Sequence, residues 1–158
     1  MTSAPTGTSI RWLPAAVATV DALRAMGADA AGHACPRCGS DAHGIPWARS
    51  GDMRLAASAS RHGDLLLVAT RPLTQGALGV DVESADAVVD AAVVLHPDER
   101  GVDPAWAWVA KEAIVKRLGT GLRTDPASLR LADFAVHRLE APAGLVAALC
   151  LGPASEHP

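Results

Sequence analysis

The segment from Asp103 to Gly119, DPAWAWVAKEAIVKRLG, constrains the fold more than any other stretch of the chain. Asp103 can cap a helix, Pro104 suits a first turn where its missing N–H costs nothing, and Gly119 supplies a stop. At 100° per residue, Trp106, Val109, Ala110, Ala113, Ile114 and Leu118 form one apolar stripe. The spacing therefore predicts an amphipathic helix that must lie on an apolar surface. Short strand-like runs supply that surface: MRLAAS, DLLLVAT and ALGVDVE, punctuated by Gly, Arg-Pro and Gln-Gly, read as an antiparallel group. FAVHRLE and LVAALCL flank Ala-Pro-Ala-Gly as a terminal hairpin. The class expected is α+β, an antiparallel sheet packed against a long helix.

Two more helices are expected, one over about 14 to 26 with Pro14 in its first turn and Gly27 as a stop, the other over SADAVVDAAVVLH with Ser84 as its cap. HPDER, residues 96–100, reads as a solvated helix start, and residues 27–51 as a loop rich in Gly, Cys, Pro and His. Residues 1–9 and 152–158 are small and polar and read as disordered ends. Between them lie 10–51, a short first segment, and 52–151, the main domain. With one Phe and no Tyr, the core must be built from Ala, Val and Leu.

A formal charge of -3 leaves no global basic field for nucleic acid, so an anion site must be local. Three cysteines cannot all pair, and the first residues lack a basic stretch followed by an apolar one. The expectation is a reduced, cytoplasmic protein. Apolar runs such as GLVAALCLG reach about half the length of a membrane span, so no membrane partner is expected.

Positive charge is written as arginine or histidine everywhere except Lys111 and Lys116, the two lysines of the chain, set around Glu112. On a helix, Glu112 and Lys116 share one flank, which is either an ordinary solvated pair worth about 0.3 to 0.5 kcal/mol or one wall of a cleft. In GVDVE, strand alternation puts Asp81 and Glu83 on one face and Val80 and Val82 on the other. Gly79 before them permits another backbone, or a ligand, to approach closely. Taken alone, this is an edge strand with a solvated acidic face. Taken with Glu112, Asp81 and Glu83 make an oxygen-donor set for a hard cation such as Mg²⁺. The lysines, compact and mobile, suit phosphate oxygens.

Asp-x-Glu after a glycine, then a helix reading Trp-x-x-Lys-Glu-Ala-x-x-x-Lys and Gly-x-Gly-Leu directly after it, resembles the 4'-phosphopantetheinyl transferase superfamily, over SASRHG, GVDVES, WVAKEAIVK and GTGLRTDP. The likeness is to the two-lobed type with a reduced N-terminal lobe, 10–51, ahead of a transferase-like domain, 52–151. It implies Mg²⁺-dependent transfer of 4'-phosphopantetheine from coenzyme A to a serine of an acyl or peptidyl carrier protein. By the same resemblance, Asp81, Glu83 and Glu112 hold Mg²⁺, and Glu112 and Lys116 are catalytic. Arg61, His62, Lys111 and Lys116 meet coenzyme A. A short first lobe would be completed by forming a homo-oligomer. The alternative is a non-catalytic paralogue that binds coenzyme A or a carrier protein.

CPRCGSDAHG also admits zinc, with Cys35, Cys38 and either His33 or His43 as ligands, although only half of a double Cys-x-x-Cys motif is present. Cys150 reads as core. Trp106 falls in the buried stripe, and Trp108 lies nearly opposite.

Overall fold

A computed structural model describes residues 5–154. The described chain folds into two antiparallel sheets and three α-helices, with short 3-10 turns between them. The first sheet holds five strands, β1 (Ser9–Pro14), β2 (Ala30–Ala34), β3 (Ile45–Ser50), β4 (Met53–His62) and β5 (Leu65–Pro72), in the order β1-β5-β4-β3-β2. The second holds β6 (Leu78–Ser84), β7 (Ala135–Leu139) and β8 (Leu145–Leu151), in the order β6-β8-β7. Helix α1 (Thr19–Ala25) covers the outer face of the first sheet, a short α2 (Ala91–Val94) follows β6, and α3 (Pro104–Leu118) covers the second sheet.

The layers run α1, five-stranded sheet, three-stranded sheet, α3, and strand alternation explains why. In β5, Leu66 and Val68 pack with Ala22 and Leu23 of α1, while Leu67 and Ala69 face Val80, Val82 and Leu149 of the second sheet. The third apolar cluster seats Val109, Ala110, Ala113 and Ile114 of α3 on Val146, Ala148 and Cys150 of β8. Apart from one isoleucine and Cys150, the fully buried apolar side chains are Ala, Val and Leu. Burying them provides the main driving force, about 25 cal/mol per Å² of apolar surface.

Helix α3 begins and ends where its caps dictate. Asp103 accepts the Ala105 N–H at 3.2 Å, and Gly119 takes the left-handed conformation, φ +69°, that closes the last turn. Its buried surface is wider than the expected stripe, because Ala107, Lys111 and Val115 are buried as well, whereas Leu118 is exposed.

Several expectations are corrected. The helix expected over 14 to 26 starts only at Thr19, and Pro14 ends the edge strand β1, a place where proline's missing N–H breaks no ladder. Ile10 and Trp12 pack against the core between the sheets, which favours extended chain there. The loop expected over 27–51 contains β2 and β3, and the 51/52 boundary falls in the β3–β4 turn. Ser84 ends β6 instead of capping a helix, and Asp90 caps α2 by accepting the Ala92 N–H at 2.9 Å. The three strand runs do not form one group, since β6 pairs with β8. Of the two ends, residues 1–4 and 155–158 lie outside the described residues. Among those described, no helix is long and apolar enough to cross a membrane.

Candidate active site

The free edge of β6 lies against β4, and two serines join them. Val80 N–H donates to Ser58 Oγ at 3.1 Å, and Ser60 Oγ donates to Asp81 Oδ1 at 2.7 Å. On its other side β6 meets α3 backbone to backbone. A Cβ at Gly79 would fall 2.1 Å from the Ala113 carbonyl oxygen and 2.5 Å from the Arg117 nitrogen. The close approach that Gly79 permits is thus to α3, and it brings Asp81, two residues on, against Lys116.

Lys116 Nζ donates to Asp81 Oδ1 at 2.7 Å and to the Ala59 carbonyl at 3.4 Å. The pair that the helix spacing suggested, Glu112 with Lys116, gives way to one between elements. Asp81 is 4% exposed, so the acidic face of β6 is not solvated at this position. Its Oδ2 is buried and has no hydrogen-bond partner among the described residues. Burial, then the charge of Asp81, pushes the Glu112 carboxyl above its ordinary value, with Lys116 opposing and Glu83 adding to the rise. Glu83 is held by His62, whose Nδ1 lies 3.0 Å from Glu83 Oε2.

Glu112 and Lys116 form one wall of a cavity of about 470 Å³. Ser58 and Ala59 of β4, the β2–β3 loop with Arg37, and the turn after α3 with Arg123 complete it. Three cations, Lys116, Arg37 and Arg123, therefore surround a space with a single carboxylate, which suits an anionic ligand.

Three of the four expected cofactor-binding residues, Lys111, Arg61 and His62, do not line this cavity. Lys111 is 1% exposed and points away from the cavity, donating to Glu99 Oε2 at 2.6 Å and to the Val94 carbonyl at 2.7 Å. Glu99, in the stretch read as solvated, is buried, and the backbone N–H groups of His96 and Leu131 complete its bonding. Arg61 donates to the carbonyls of Val17 at 2.9 Å and Ala15 at 3.3 Å, on the opposite face of β4 from Ser60 and His62. Alternation along β4 decides this: Ser58, Ser60 and His62 face β6, so His62 and not Arg61 meets the acidic strand. Arg37 and Arg123 carried only a weak sequence signal, the Gly-x-Gly-x-Arg after the helix and one arginine within the Cys/Gly loop.

The carboxylates are a partial match to a hard cation. The buried Asp81 Oδ2 lacks a donor and Glu112 carries charge at an electrostatic cost, and a divalent cation beside them would relieve both. Among the described residues, however, the group of potential metal ligands whose donor atoms all lie within 4.8 Å of one another is Cys35, Cys38 and His43, not Asp81, Glu83 and Glu112. The Cys35 thiol is brought down to about 7, first by the backbone N–H of Cys38 and then by that of Arg37. Cys150 is buried on β8 and its thiol is pushed up to about 11. Both tryptophans of α3 are half-buried against the same cluster, with Arg138 stacked 4.4 Å over Trp106.

Compared with known proteins, the chain matches no protein-family profile and no curated protein. A functional reading therefore rests on the chain's own residues.

Proposed function

We propose that the chain is a Mg²⁺-dependent 4'-phosphopantetheinyl transferase, taking coenzyme A as donor and a serine of an acyl or peptidyl carrier protein as acceptor. The observation that carries this reading is a cavity lined by Glu112, Lys116, Arg37 and Arg123, with Lys116 paired to the buried Asp81, whose Oδ2 has no hydrogen-bond partner among the described residues. Asp81 and Glu112 would hold the metal, with Glu83 joining on release from His62. Bound Mg²⁺ would supply charge neutralisation at the diphosphate.

The remaining chemistry belongs to side chains. Arg37 and Arg123, which line the cavity together with Lys116, bind the anionic donor. The carrier serine Oγ attacks the phosphorus bearing pantetheine, its proton passing to Glu112. The bond from that phosphorus to the bridging oxygen breaks, and adenosine 3',5'-bisphosphate leaves with its new charge beside Lys116.

The second reading, a non-catalytic protein that binds coenzyme A or a carrier, is favoured by the engagement of Lys111 and Arg61 in the structure, which removes two cations from the donor. Incubation with coenzyme A, Mg²⁺ and a panel of apo carrier proteins, followed by intact-mass spectrometry, separates the two. A gain of one phosphopantetheine that disappears on chelation supports transfer. Coenzyme A binding without any mass gain overturns it.

A further inference from the structure

The β2–β3 loop departs from its strand at Ala34 and returns at Ile45, and its backbone folds tightly back on itself. Cys35 N–H donates to the Ser40 carbonyl at 2.9 Å, and Gly39 N–H donates to the Cys35 carbonyl at 2.9 Å. Gly44 closes the loop at φ +110°, where a Cβ would fall 2.4 Å from the Ala34 carbonyl oxygen and 2.6 Å from Cys35 Cα. Only glycine fits there, and the contact returns His43 to the two cysteines.

Cys38 Sγ lies 3.4 Å from His43 Nε2, and the donor atoms of Cys35, Cys38 and His43 all fall within 4.8 Å of one another. Zinc–sulfur and zinc–nitrogen bonds of about 2.3 and 2.05 Å at a tetrahedral angle put sulfur and nitrogen about 3.6 Å apart. The loop therefore already has the separation a shared ion requires. Two thiolates and an imidazole suit zinc and disfavour magnesium.

We propose that Cys35, Cys38 and His43 bind one zinc ion, with solvent in the fourth position, and that this ion fixes the loop that carries Arg37 to the cavity. Cys35, Arg37 and Gly44 all line that cavity, so the order of the loop sets the position of one of its three cations. The proposal rests on the loop alone and stands whether or not the protein transfers phosphopantetheine.

The test is metal content and cobalt spectroscopy of the full chain, purified under reducing conditions without chelator. One zinc per chain is expected. Cobalt in its place should give a thiolate-to-metal absorption band that is lost in Cys38→Ser, weakened in His43→Ala and unchanged in Cys150→Ser. Thermal melts confirm that each variant is folded. Tryptic cleavage after Arg37 should quicken when zinc is withdrawn and slow when it is restored. Reduced, folded protein that takes up neither zinc nor cobalt overturns the proposal, leaving a thiol–imidazole hydrogen bond. So does a chain isolated with a Cys35–Cys38 disulfide that fails to bind metal after reduction.

Discussion

Lys111 Nζ and Glu99 Oε2 stand 2.6 Å apart in the interior, with both side chains almost wholly removed from solvent. The pair joins α3 to the chain between α2 and Pro104, and Lys111 also donates to the Val94 carbonyl. Removing one member of a buried pair strands the other charge. Lys111→Met is expected to lose about 3 to 5 kcal/mol of stability in urea denaturation. Lys116→Met leaves the buried Asp81 without its ion-pair partner and should lose stability too, although Lys116 itself is 31% exposed, and on the proposed function it should also abolish transfer. Transfer retained in Lys116→Met would remove Lys116 from the proposed mechanism.

The pH dependence should separate two glutamates of opposite sign. For Glu99, burial raises the pKa, but the Lys111 hydrogen bond and the backbone N–H groups of Leu131 and His96 outweigh it, so the net shift is downward. Its stabilisation is present above the unfolded-state value of about 4.3 and is lost as pH falls through the lower folded value. The stability gap between wild type and Glu99→Gln should therefore be widest at neutral pH and narrow in acid.

Glu112 runs the other way. Its folded pKa is raised by burial and by Asp81, so its destabilising effect is absent below the unfolded-state value and complete above the folded one. Glu112→Gln should melt higher than wild type at neutral pH without Mg²⁺, gain less from added Mg²⁺, and lose transfer. A variant that melts lower, or that transfers, would remove Glu112 from the proposed role.

Gly79 makes the contact that sets Asp81 against α3. In Gly79→Ala the new methyl meets the Ala113 carbonyl and the Arg117 nitrogen, both backbone atoms that cannot swing aside. A loss of about 1 to 3 kcal/mol or more is expected. Indistinguishable melting of Gly79→Ala and wild type would show that strand and helix are not in direct contact.

Arg37 and Arg123 line the cavity from two different loops. Loss of a charge-assisted bond to a phosphate costs about 1.5 to 3 kcal/mol, so Arg37→Ala and Arg123→Ala should each raise KM for coenzyme A about tenfold or more, with a smaller change in kcat. An unchanged KM in both would move the donor out of this cavity.

Two local rules made much of the site legible. Period-two alternation set Asp81 and Glu83 on one face, and the helical period set Glu112 and Lys116 on one flank. The same alternation along β4 separates Ser60 and His62 from Arg61, so Arg61's position could have been read from the strand alone. Lys111 could not, because its burial depends on the chain from Val94 to Val102 closing over α3, and HPDER carries no apolar signal of that closure. The strands β2 and β3 are not legible because glycine, proline and cysteine between them mask two short runs that are held extended by pairing, β2 on β3 and β3 on β4.

By itself, the sequence determined the α+β class, helix α3 and its caps, the hairpin at the end of the chain, and which side chains share a face within one element. These depend on backbone propensity and on periods of 2 and 3.6, which are properties of neighbouring residues. Tertiary structure alone decided that Lys116 meets Asp81 while Lys111 meets Glu99, and that β6 leaves the other strands for a second sheet. Each of these is a contact between segments separated in the chain, and the physical cause is the packing of two sheets and a helix, which no local pattern encodes.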